Sequence, residues 1–278
     1  MSYGYFIEPN RLVVRHEEIK IKRWDPAFDG IRIALIGDVH GGSNSVTAEK
    51  LRLIVEKTNA ENPDLIILLG DYVSQTGYGA INDRPLKMPI EEVAENLNGL
   101  KAKYGVFAVI GNHDWWYGSD NVADSLSANG IRVLQNQLVE VVSENGKKLR
   151  ILGLKDHMQQ GAFNTFHDAV REAAGPTDGT GDLILLEHSP DILPVITGEY
   201  NGSDDLRLIL SAHTHGGQIW LPIIGTPIVP SGFGQKYARG HIKDRGVDMY
   251  VTSGIGTSVL PFRFMVPPEI VILTIRSE

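Results

Sequence analysis

The sequence contains no cysteine among its 278 residues. This absence excludes disulfide bonds, thiolate catalysis and cysteine-based zinc or iron–sulfur sites. No apolar run comes near the ~20 residues needed to span a bilayer, and the first ten residues lack the basic and apolar regions of a signal peptide. We therefore expect a protein that is soluble as written and either cytoplasmic or membrane-peripheral, or exported if an N-terminal signal has been removed.

An excess of positive charge is also missing. The chain has 26 Lys and Arg against 34 Asp and Glu, a formal net charge of −8. A net acidic protein has no broad attraction for long nucleic acids, so we exclude these as partners. If the substrate is a phosphate compound, the positive charge that binds it must be local, such as a metal ion. The 42% hydrophobic fraction is that of an ordinary globular protein and excludes disorder and coiled coil.

Short apolar runs that lead into Gly, Asp, Asn or His predict β-strands buried on both faces. Segments of helical spacing between the first three runs, Thr47–Asn59 and Ile90–Lys101, predict βαβ units. A further helix near Phe163–Ala174, before a glycine-rich loop at 175–181, fits the pattern less clearly. The apolar runs are Ile31–Ile36, Asp64–Leu69, Val106–Ile110, Leu183–Leu186 and Leu206–Leu210.

Later segments predict antiparallel structure as well. Gln137–Val142 and Leu149–Leu154 flank a turn signal at Glu144-Asn145-Gly146, which predicts a hairpin. Met249–Ser253 and Ile270–Ile275 also favour strands. Because no linker-like stretch interrupts the chain, we predict an α/β fold of mixed sheets with helices outside, in a single domain over residues 1–278.

Residues that can bind a metal ion follow five of the apolar runs. Ligands of α/β proteins bind at the carboxyl ends of strands, so we expect these side chains to meet. Asp38 and His40 are two apart and would share a strand face, and His213 and His215, two apart on an extended segment, would suit one metal. The pair of Asp38 and His40 alone is a weak signal, and the pair of His213 and His215 is a stronger one. Five independent strand ends, however, would not each carry a ligand type by accident. The candidate ligands are Asp38, His40, Asp71, Asn112, His188, His213 and His215.

Seven nitrogen and oxygen ligands are too many for one tetrahedral zinc ion. They suit two divalent ions that share a carboxylate and keep an open position for water or substrate. A set without sulfur favours Mn²⁺, Fe²⁺ or Zn²⁺. The neutral amide of Asn112 would keep the net charge of the site positive. Two such ions form a clamp for in-line displacement at phosphorus.

Five blocks of the sequence resemble those of the calcineurin-like metallophosphoesterases and occur in the family order. The resemblance implies two mixed β-sheets packed as an αββα sandwich, in agreement with the strand and helix pattern. Segments from Gly216 onward are similar to a bacterial branch of exported or membrane-associated phosphodiesterases that includes UDP-2,3-diacylglucosamine hydrolases. The blocks are Asp38-Val39-His40, Gly70-Asp71, Gly111-Asn112-His113-Asp114, His188 and Ala212–Gln218.

The resemblance also implies a role for each residue. Asp71 would bridge the two metals, and His113 would stabilise or protonate the leaving oxygen while Asp114 orients His113. Two positions depart from the family pattern: Ser211 replaces a common glycine, and Tyr72 to Gln75 lack the Asp/Arg pair of the family's protein phosphatases. The first metal would be held by Asp38, His40 and His215, and the second by Asn112, His188 and His213.

The resemblance and the ligand set together predict a dinuclear metal-dependent phosphodiesterase in which a metal-bridging hydroxide attacks the phosphate ester. The substrate would be a small-molecule or lipid-linked phosphate ester, or a nucleoside pyrophosphate, such as UDP-2,3-diacylglucosamine. A phosphomonoesterase or nucleotide phosphatase, and a non-catalytic metal-binding scaffold, remain the alternatives. The sequence leaves the native metal and the oligomeric state open.

Two apolar segments have two interpretations each. Trp115-Trp116-Tyr117 would either form a wall over the site or pack under the next helix. Trp220 to Ile224 would either meet a lipid substrate or membrane surface, or pack against the C-terminal segment. Arg239 has no predicted place. His157 is interpreted by default as a surface or core residue, and it is the histidine outside the blocks whose proximity to the site we check. His16, His167 and His241 are interpreted as surface or core residues.

Overall fold

Two six-stranded sheets form the centre of the protein. The computed structural model describes residues 2–76, 84–157, 182–199 and 205–278. The first sheet has the order β1-β12-β2-β3-β4-β5, in which β12 runs antiparallel to β2 and the other neighbours are parallel. Its strands are β1 (Val13–Ile21), β2 (Arg32–Ile36), β3 (Leu65–Leu68), β4 (Val106–Ala108), β5 (Arg132–Val133) and β12 (Glu269–Ser277).

The second sheet has the order β10-β11-β9-β8-β7-β6. Its two outer pairs, β10 with β11 and β6 with β7, are antiparallel, whereas β11, β9, β8 and β7 run parallel. Both sheets are therefore mixed, as predicted. The strands are β6 (Gln137–Val142), β7 (Lys148–Gly153), β8 (Asp182–Leu186), β9 (Leu206–Ser211), β10 (Gly240–Asp244) and β11 (Val247–Val251).

Five α-helices lie within the described residues. The first begins after Thr47, whose hydroxyl accepts a hydrogen bond from the Lys50 amide and so caps the helix. The second ends at Leu97, four residues earlier than predicted, because the chain turns at Asn98 and at Gly99, which has a φ of +97°. The helices are α1 (Ala48–Ala60), α2 (Ile90–Leu97), α3 (Asn112–Tyr117), α4 (Ser119–Ala128) and α5 (Ile192–Glu199).

Alternating side chains divide the core into three layers, so the predicted sandwich is confirmed. Ile33 and Leu35 of β2 face the space between the sheets, where they join Ile184 and Leu186 of β8. The intervening residues of β2 pack outward with buried side chains of α1, α2 and α4. Leu183 and Leu185 pack against buried side chains of α5. The period-two alternation of strands buried on both faces produces this arrangement.

The predicted strands and the hairpin are confirmed to within one or two residues at most ends. Strand β1, with an exposed, charged middle section, and the short helices after β4 were not predicted, because neither carries a clear apolar period. The predicted helix at 163–174 and the loop at 175–181 lie outside the described residues. The single-domain assignment stays a prediction. Within the described part of the chain, no helix is both long and apolar enough to cross a bilayer.

Candidate metal centre

The predicted ligands come together at the carboxyl ends of β2, β3, β4, β8 and β9. Asp38 and His40 follow β2, Asp71 follows β3, and Asn112 is the first residue of α3 after β4. His188 follows β8, and the two histidines at 213 and 215 follow β9. The loops are joined by backbone hydrogen bonds, such as those from the Asp38 amide to the Gly70 carbonyl and from the His40 amide to the Asp71 carbonyl.

One cluster consists of Asp38, His40 and His215, whose ligand atoms all lie within 4.8 Å of one another. All three side chains are buried. Nε2 of His40 is 3.1 Å from Nε2 of His215. Nδ1 of His40 lies 3.1 Å from the Val73 carbonyl oxygen, which can only accept, so Nδ1 carries the hydrogen. The lone pair of Nε2 in neutral His40 is thereby directed at the cluster.

A second cluster consists of Asp71, His188 and His213. Nε2 of His188 lies 3.3 Å from Oδ2 of Asp71 and 3.2 Å from Nδ1 of His213. Nδ1 of His188 donates to the Leu69 carbonyl oxygen at 2.6 Å, which again leaves Nε2 as the free ligand atom. In each cluster, a backbone carbonyl oxygen that accepts from Nδ1 therefore orients one histidine.

Asp71 lies between the two clusters. Its Oδ2 is 3.5 Å from Nε2 of His40 and 3.3 Å from Nε2 of His188, so a single carboxylate oxygen faces both sets. Its Oδ1 accepts the backbone amide hydrogen of His113 at 2.8 Å. Asn112 lines the same cavity as Asp71 and His213. The carboxylate of Asp71 thus faces a histidine of each cluster.

The donors present fit divalent metal ions. Metal–ligand bonds of about 2.0–2.2 Å place neighbouring ligand atoms about 3.0–3.5 Å apart, which is the spacing found in both clusters. Oδ2 of Asp38 and Oδ1 of Asn112 are buried without a hydrogen-bond partner. Buried oxygens without partners are rare and costly, and a cation would satisfy both.

The electrostatics of the centre also favour a cation. Burial lowers the pKa of His40 and of His213 to about 3, so both are neutral imidazoles able to coordinate. Burial raises the pKa of Asp38 to about 7. Burial opposes ionisation of Asp71 too, but the neighbouring imidazoles, His188 foremost, hold its pKa well below the usual range. Asp38 therefore lacks enough positive charge from the protein alone to stay ionised.

The candidate ligands do not lie on extended backbone, which we expected from the sequence for the pairs 38/40 and 213/215. Asp38, His40, Asp71, His213 and His215 all have φ between +46° and +68°. Asp38 and His40 therefore do not share a strand face, and the two histidines at 213 and 215 point to different clusters rather than to one metal. Left-handed backbone at a non-glycine residue is strained, and such strain is concentrated at functional sites.

His113 sits beside the ligands at the floor of a cavity of about 290 Å³. Its ring lies edge-on to that of His40 at a centroid distance of 4.8 Å, and equally close to the ring of Trp116. Nε2 of His113 is 3.4 Å from the hydroxyl of Ser258. Trp116 thus forms a wall of the site, as one interpretation of the aromatic segment has it. Tyr117 packs against the core instead, as the other interpretation has it.

The expectation that Asp114 orients His113 stays a prediction; among the described residues, no hydrogen bond joins its carboxylate to the His113 ring. Within the described residues, its carboxylate accepts four backbone hydrogen bonds, at 2.7–3.1 Å. As the third residue of α3, its side chain points back past the start of the helix toward the loop after β3. Asp114 therefore fixes the backbone on both sides of Asp71. The donors are the amides of Asp71, Tyr72, Val73 and Gly111.

Two side chains near the centre were missed by sequence reasoning. Arg263 is completely buried, donates to the carbonyl oxygens of Ser253, Gly256 and Val266, and approaches Nδ1 of His215 at 3.5 Å. Ser258 reaches His113 from the same C-terminal region. Both follow β11 by several residues, without any chemical motif. The proline-rich setting of Arg263 at 261–268 was the only signal.

His157, Arg239 and the segment from Trp220 to Ile224 lie at different places around the centre. His157 lies in a separate cluster with Asp156 and Glu187, where its Nδ1 is 3.0 Å from Oε1 of Glu187. Arg239 lies against Gly216 and is not among the cavity-lining residues. Trp220 hydrogen-bonds to the Phe264 carbonyl oxygen, whereas Ile223 and Ile224 are exposed.

The three other histidines were expected at the surface or in the core. His16 pairs with Glu61 and His241 pairs with Asp248, both away from the centre. His167 lies outside the described residues.

Comparisons with known proteins find several named metallophosphoesterases. An uncharacterized metallophosphoesterase of Bacillus subtilis, YkuE, is 31% identical over 99% of this chain and 90% of its own. The phosphodiesterase YaeI of Escherichia coli is 27% identical over 98% of this chain and 91% of its own. An uncharacterized metallophosphoesterase of Helicobacter pylori is 28% identical over 89% of this chain, which spans only 60% of that relative.

Among solved structures, a 5'-nucleotidase precursor from Thermus thermophilus superposes with a TM-score of 0.48 and 14% identity, covering 88% of this chain and 54% of that one. The family model described as calcineurin-like phosphoesterase matches residues 31–217, which include all seven predicted ligands. The chain therefore belongs to the calcineurin-like phosphoesterase family.

Proposed function

We propose that this protein is a dinuclear metal-dependent phosphodiesterase. Membership of a metallophosphoesterase family and the two His/Asp clusters make divalent metal ions the cofactors. The observation that carries the dinuclear proposal is the position of Asp71, whose Oδ2 faces a histidine of each cluster at 3.3–3.5 Å. Asp38, His40 and His215 would hold one ion, and Asn112, His188 and His213 the other. Mn²⁺, Fe²⁺ and Zn²⁺ all suit these donors.

Each residue at the centre has a task in ester hydrolysis. When bound, the two cations supply an activated water and neutralise charge on the phosphate oxygens. Val73 and Leu69 hold His40 and His188 in the tautomer that coordinates. His113, anchored by its amide on Asp71, directs its ring toward the cavity and would donate a proton or hydrogen bond to the leaving oxygen. Trp116 lines one side of the cavity.

Two observations favour a diester over a monoester. No Lys or Arg of the described residues lines the cavity, so nothing there would neutralise the second charge of a monoester dianion. The cavity walls are instead largely apolar, including Ile219, Ile228 and Leu260. The naming of the Escherichia coli relative as a phosphodiesterase supports the same preference.

An assay of the Mn²⁺-loaded protein on bis-p-nitrophenyl phosphate and p-nitrophenyl phosphate tests the proposal. We expect a higher kcat/KM on the diester. Faster turnover of the monoester would favour the phosphomonoesterase or nucleotide phosphatase alternative. Absence of turnover on both substrates, in a folded protein that binds no metal, would favour a non-catalytic scaffold.

The apolar walls also bear on the natural substrate. A small phosphate ester with an apolar substituent would place its phosphate on the metals and its apolar part against Trp116, Ile228 and Leu260. A lipid-linked phosphate ester or nucleoside pyrophosphate such as UDP-2,3-diacylglucosamine has this composition. Competition by such compounds against the chromogenic diester, compared with their water-soluble headgroups, would test this assignment. Equal inhibition by headgroup and lipid would contradict it.

A further inference from the structure

Two loops beside the metal centre contain no charged side chain of the Asp, Glu, Lys or Arg type. The first covers residues 214–235, and the second covers residues 252–262. Both contribute to the cavity that opens onto His113 and Asp71. In a chain that is 22% charged, two long uncharged loops that meet at one opening mark a surface of distinct chemistry.

Four aliphatic side chains project from these loops into solvent. We define the apolar rim as Ile223, Ile224, Ile228 and Val259. Their relative exposures are 105%, 60%, 70% and 100%. Scattered exposed aliphatic residues are ordinary on protein surfaces, but four on two uncharged loops that border one cavity indicate an interaction surface. Ile228 and Val259 line the cavity itself, so the rim reaches the cavity through these two residues.

The backbone of the rim does not explain its composition. Ile223 and Val259 have φ of +73° and +62°. Left-handed backbone is unfavourable for β-branched residues and is normally occupied by Gly, Asn or Asp. Turn formation alone would therefore favour other residues at both positions. Isoleucine and valine there reduce stability and expose apolar surface, so their side chains serve something other than folding.

The rim is held firmly in this exposed position. The Gln218 side chain donates to the Ser258 carbonyl oxygen and accepts from the Ser258 amide, which joins the two loops. Asp191 accepts hydrogen bonds from the Ser231 hydroxyl and the Gly232 amide, which fixes the far end of the first loop. The aliphatic tips therefore project from a fixed base.

From this arrangement we propose that the apolar rim inserts into the surface of a lipid bilayer and seats the mouth of the cavity at the membrane interface. Separate aliphatic tips on protruding loops suit insertion among acyl chains, whereas protein interfaces centre on Tyr, Trp and Arg in packed pockets. The net charge of −8 gives no general attraction to anionic lipids, so binding arises from apolar burial and persists at high salt.

Docking of this kind would let an amphiphilic phosphoester reach the metal centre from the bilayer. That consequence rests on the proposed function, but the docking itself does not. Vesicle binding can be measured without turnover, and turnover of a soluble diester can be measured without vesicles. A failure of either proposal is therefore visible separately.

The test is flotation of the full chain with phosphatidylcholine vesicles, with and without about 1 M NaCl, where screening is nearly complete. We expect binding at both salt concentrations. Changing Ile223→Asn and Ile224→Asn together should lower the partition coefficient at least ~tenfold, since burial of one large aliphatic side chain accounts for about that factor. Because Asn tolerates left-handed backbone, the variant should stay folded and keep wild-type turnover of bis-p-nitrophenyl phosphate.

A matched control carries Leu53→Asn and Val142→Asn, at exposed aliphatic positions on α1 and β6 outside the two loops. It should bind vesicles like the wild type. The proposal is overturned if the wild type does not float, if the Ile223/Ile224 variant floats equally well, or if binding is lost at high salt. It is equally overturned if the rim instead forms a dimer that the variant dissolves.

Discussion

Several candidate ligands of the metal centre adopt a backbone conformation that is unfavourable for stability. Five candidate ligands adopt positive φ, a conformation that costs a non-glycine residue roughly 1–2 kcal/mol. The strain is tolerated because hydrogen bonds such as that from the His213 amide to Asp38 Oδ1 hold the loops in place. The gain is that residues two apart, such as His213 and His215, reach different clusters.

Replacement of His113 by alanine tests the role of the residue beside the ligands. We expect turnover of bis-p-nitrophenyl phosphate to fall by about 10²–10⁴-fold, because a positioned proton donor contributes this much, while metal content measured by mass spectrometry is unchanged. His16→Ala, at an exposed position on β1, is the matched control and should behave as wild type. Loss of metal in the His113 variant would show instead that this ring is a ligand, and unchanged turnover would exclude the catalytic role.

At the scale of elements, the centre depends on close approach between the loops after β3 and β4. The carboxylate of Asp114 in α3 accepts four amides from these two loops. Burial and the negative charge of Asp71 raise the pKa of Asp114 to about 7. Bringing the two loops together therefore has an electrostatic cost, because it places two carboxylates close to each other. Gly70 permits it, since a Cβ there would lie 2.6 Å from the Gly111 nitrogen and 2.8 Å from Nδ1 of His188.

The substitution Gly70→Ala should therefore destabilise the protein more than Gly130→Ala. Both glycines have positive φ, +87° and +81°, but a Cβ at Gly130 meets nothing within 4 Å. The backbone cost of about 1–2 kcal/mol is common to both, and steric overlap at Gly70 adds about 1–3 kcal/mol. Urea unfolding of the two variants measures the difference. Equal destabilisation would mean that the loops have room to separate.

Sequence patterns predicted strands and turns well where a single local signal, such as an apolar run or a turn dipeptide, specifies them. The strands carry continuous buried apolar runs, and the hairpin has Asn145-Gly146 at its turn, so both were found. The end of α2 and the presence of β1 were not, because the former depends on where the chain turns and the latter on pairing of Val13–Ile21 with Glu269–Ser277. Such pairing joins segments about 250 residues apart and has no local signal.

For the whole molecule, metal binding should also be a source of stability. The seven candidate donors converge only after folding, so metal at 100 to 1,000 times its Kd would stabilise the native state by about 3–4 kcal/mol. Removal with EDTA should then lower Tm by roughly 5–15 °C, and Mn²⁺ should restore it. Differential scanning fluorimetry provides the measurement. A Tm that changes neither with EDTA nor with Mn²⁺ would contradict a metal centre built from these residues.

The amino-acid sequence by itself determined which residue types end the strands, and hence that oxygen and imidazole donors without sulfur gather at one edge of an α/β fold. These features follow from local apolar periodicity and from side-chain chemistry. The family resemblance of the sequence implied the division of the donors into two sets around Asp71, whereas tertiary structure alone decided the tautomers set by Leu69 and Val73. It also decided the arrival of Ser258 and Arg263 at the site. The reason is that hydrogen bonds and packing between segments far apart in the chain depend on how the two sheets assemble, which no short stretch of sequence encodes.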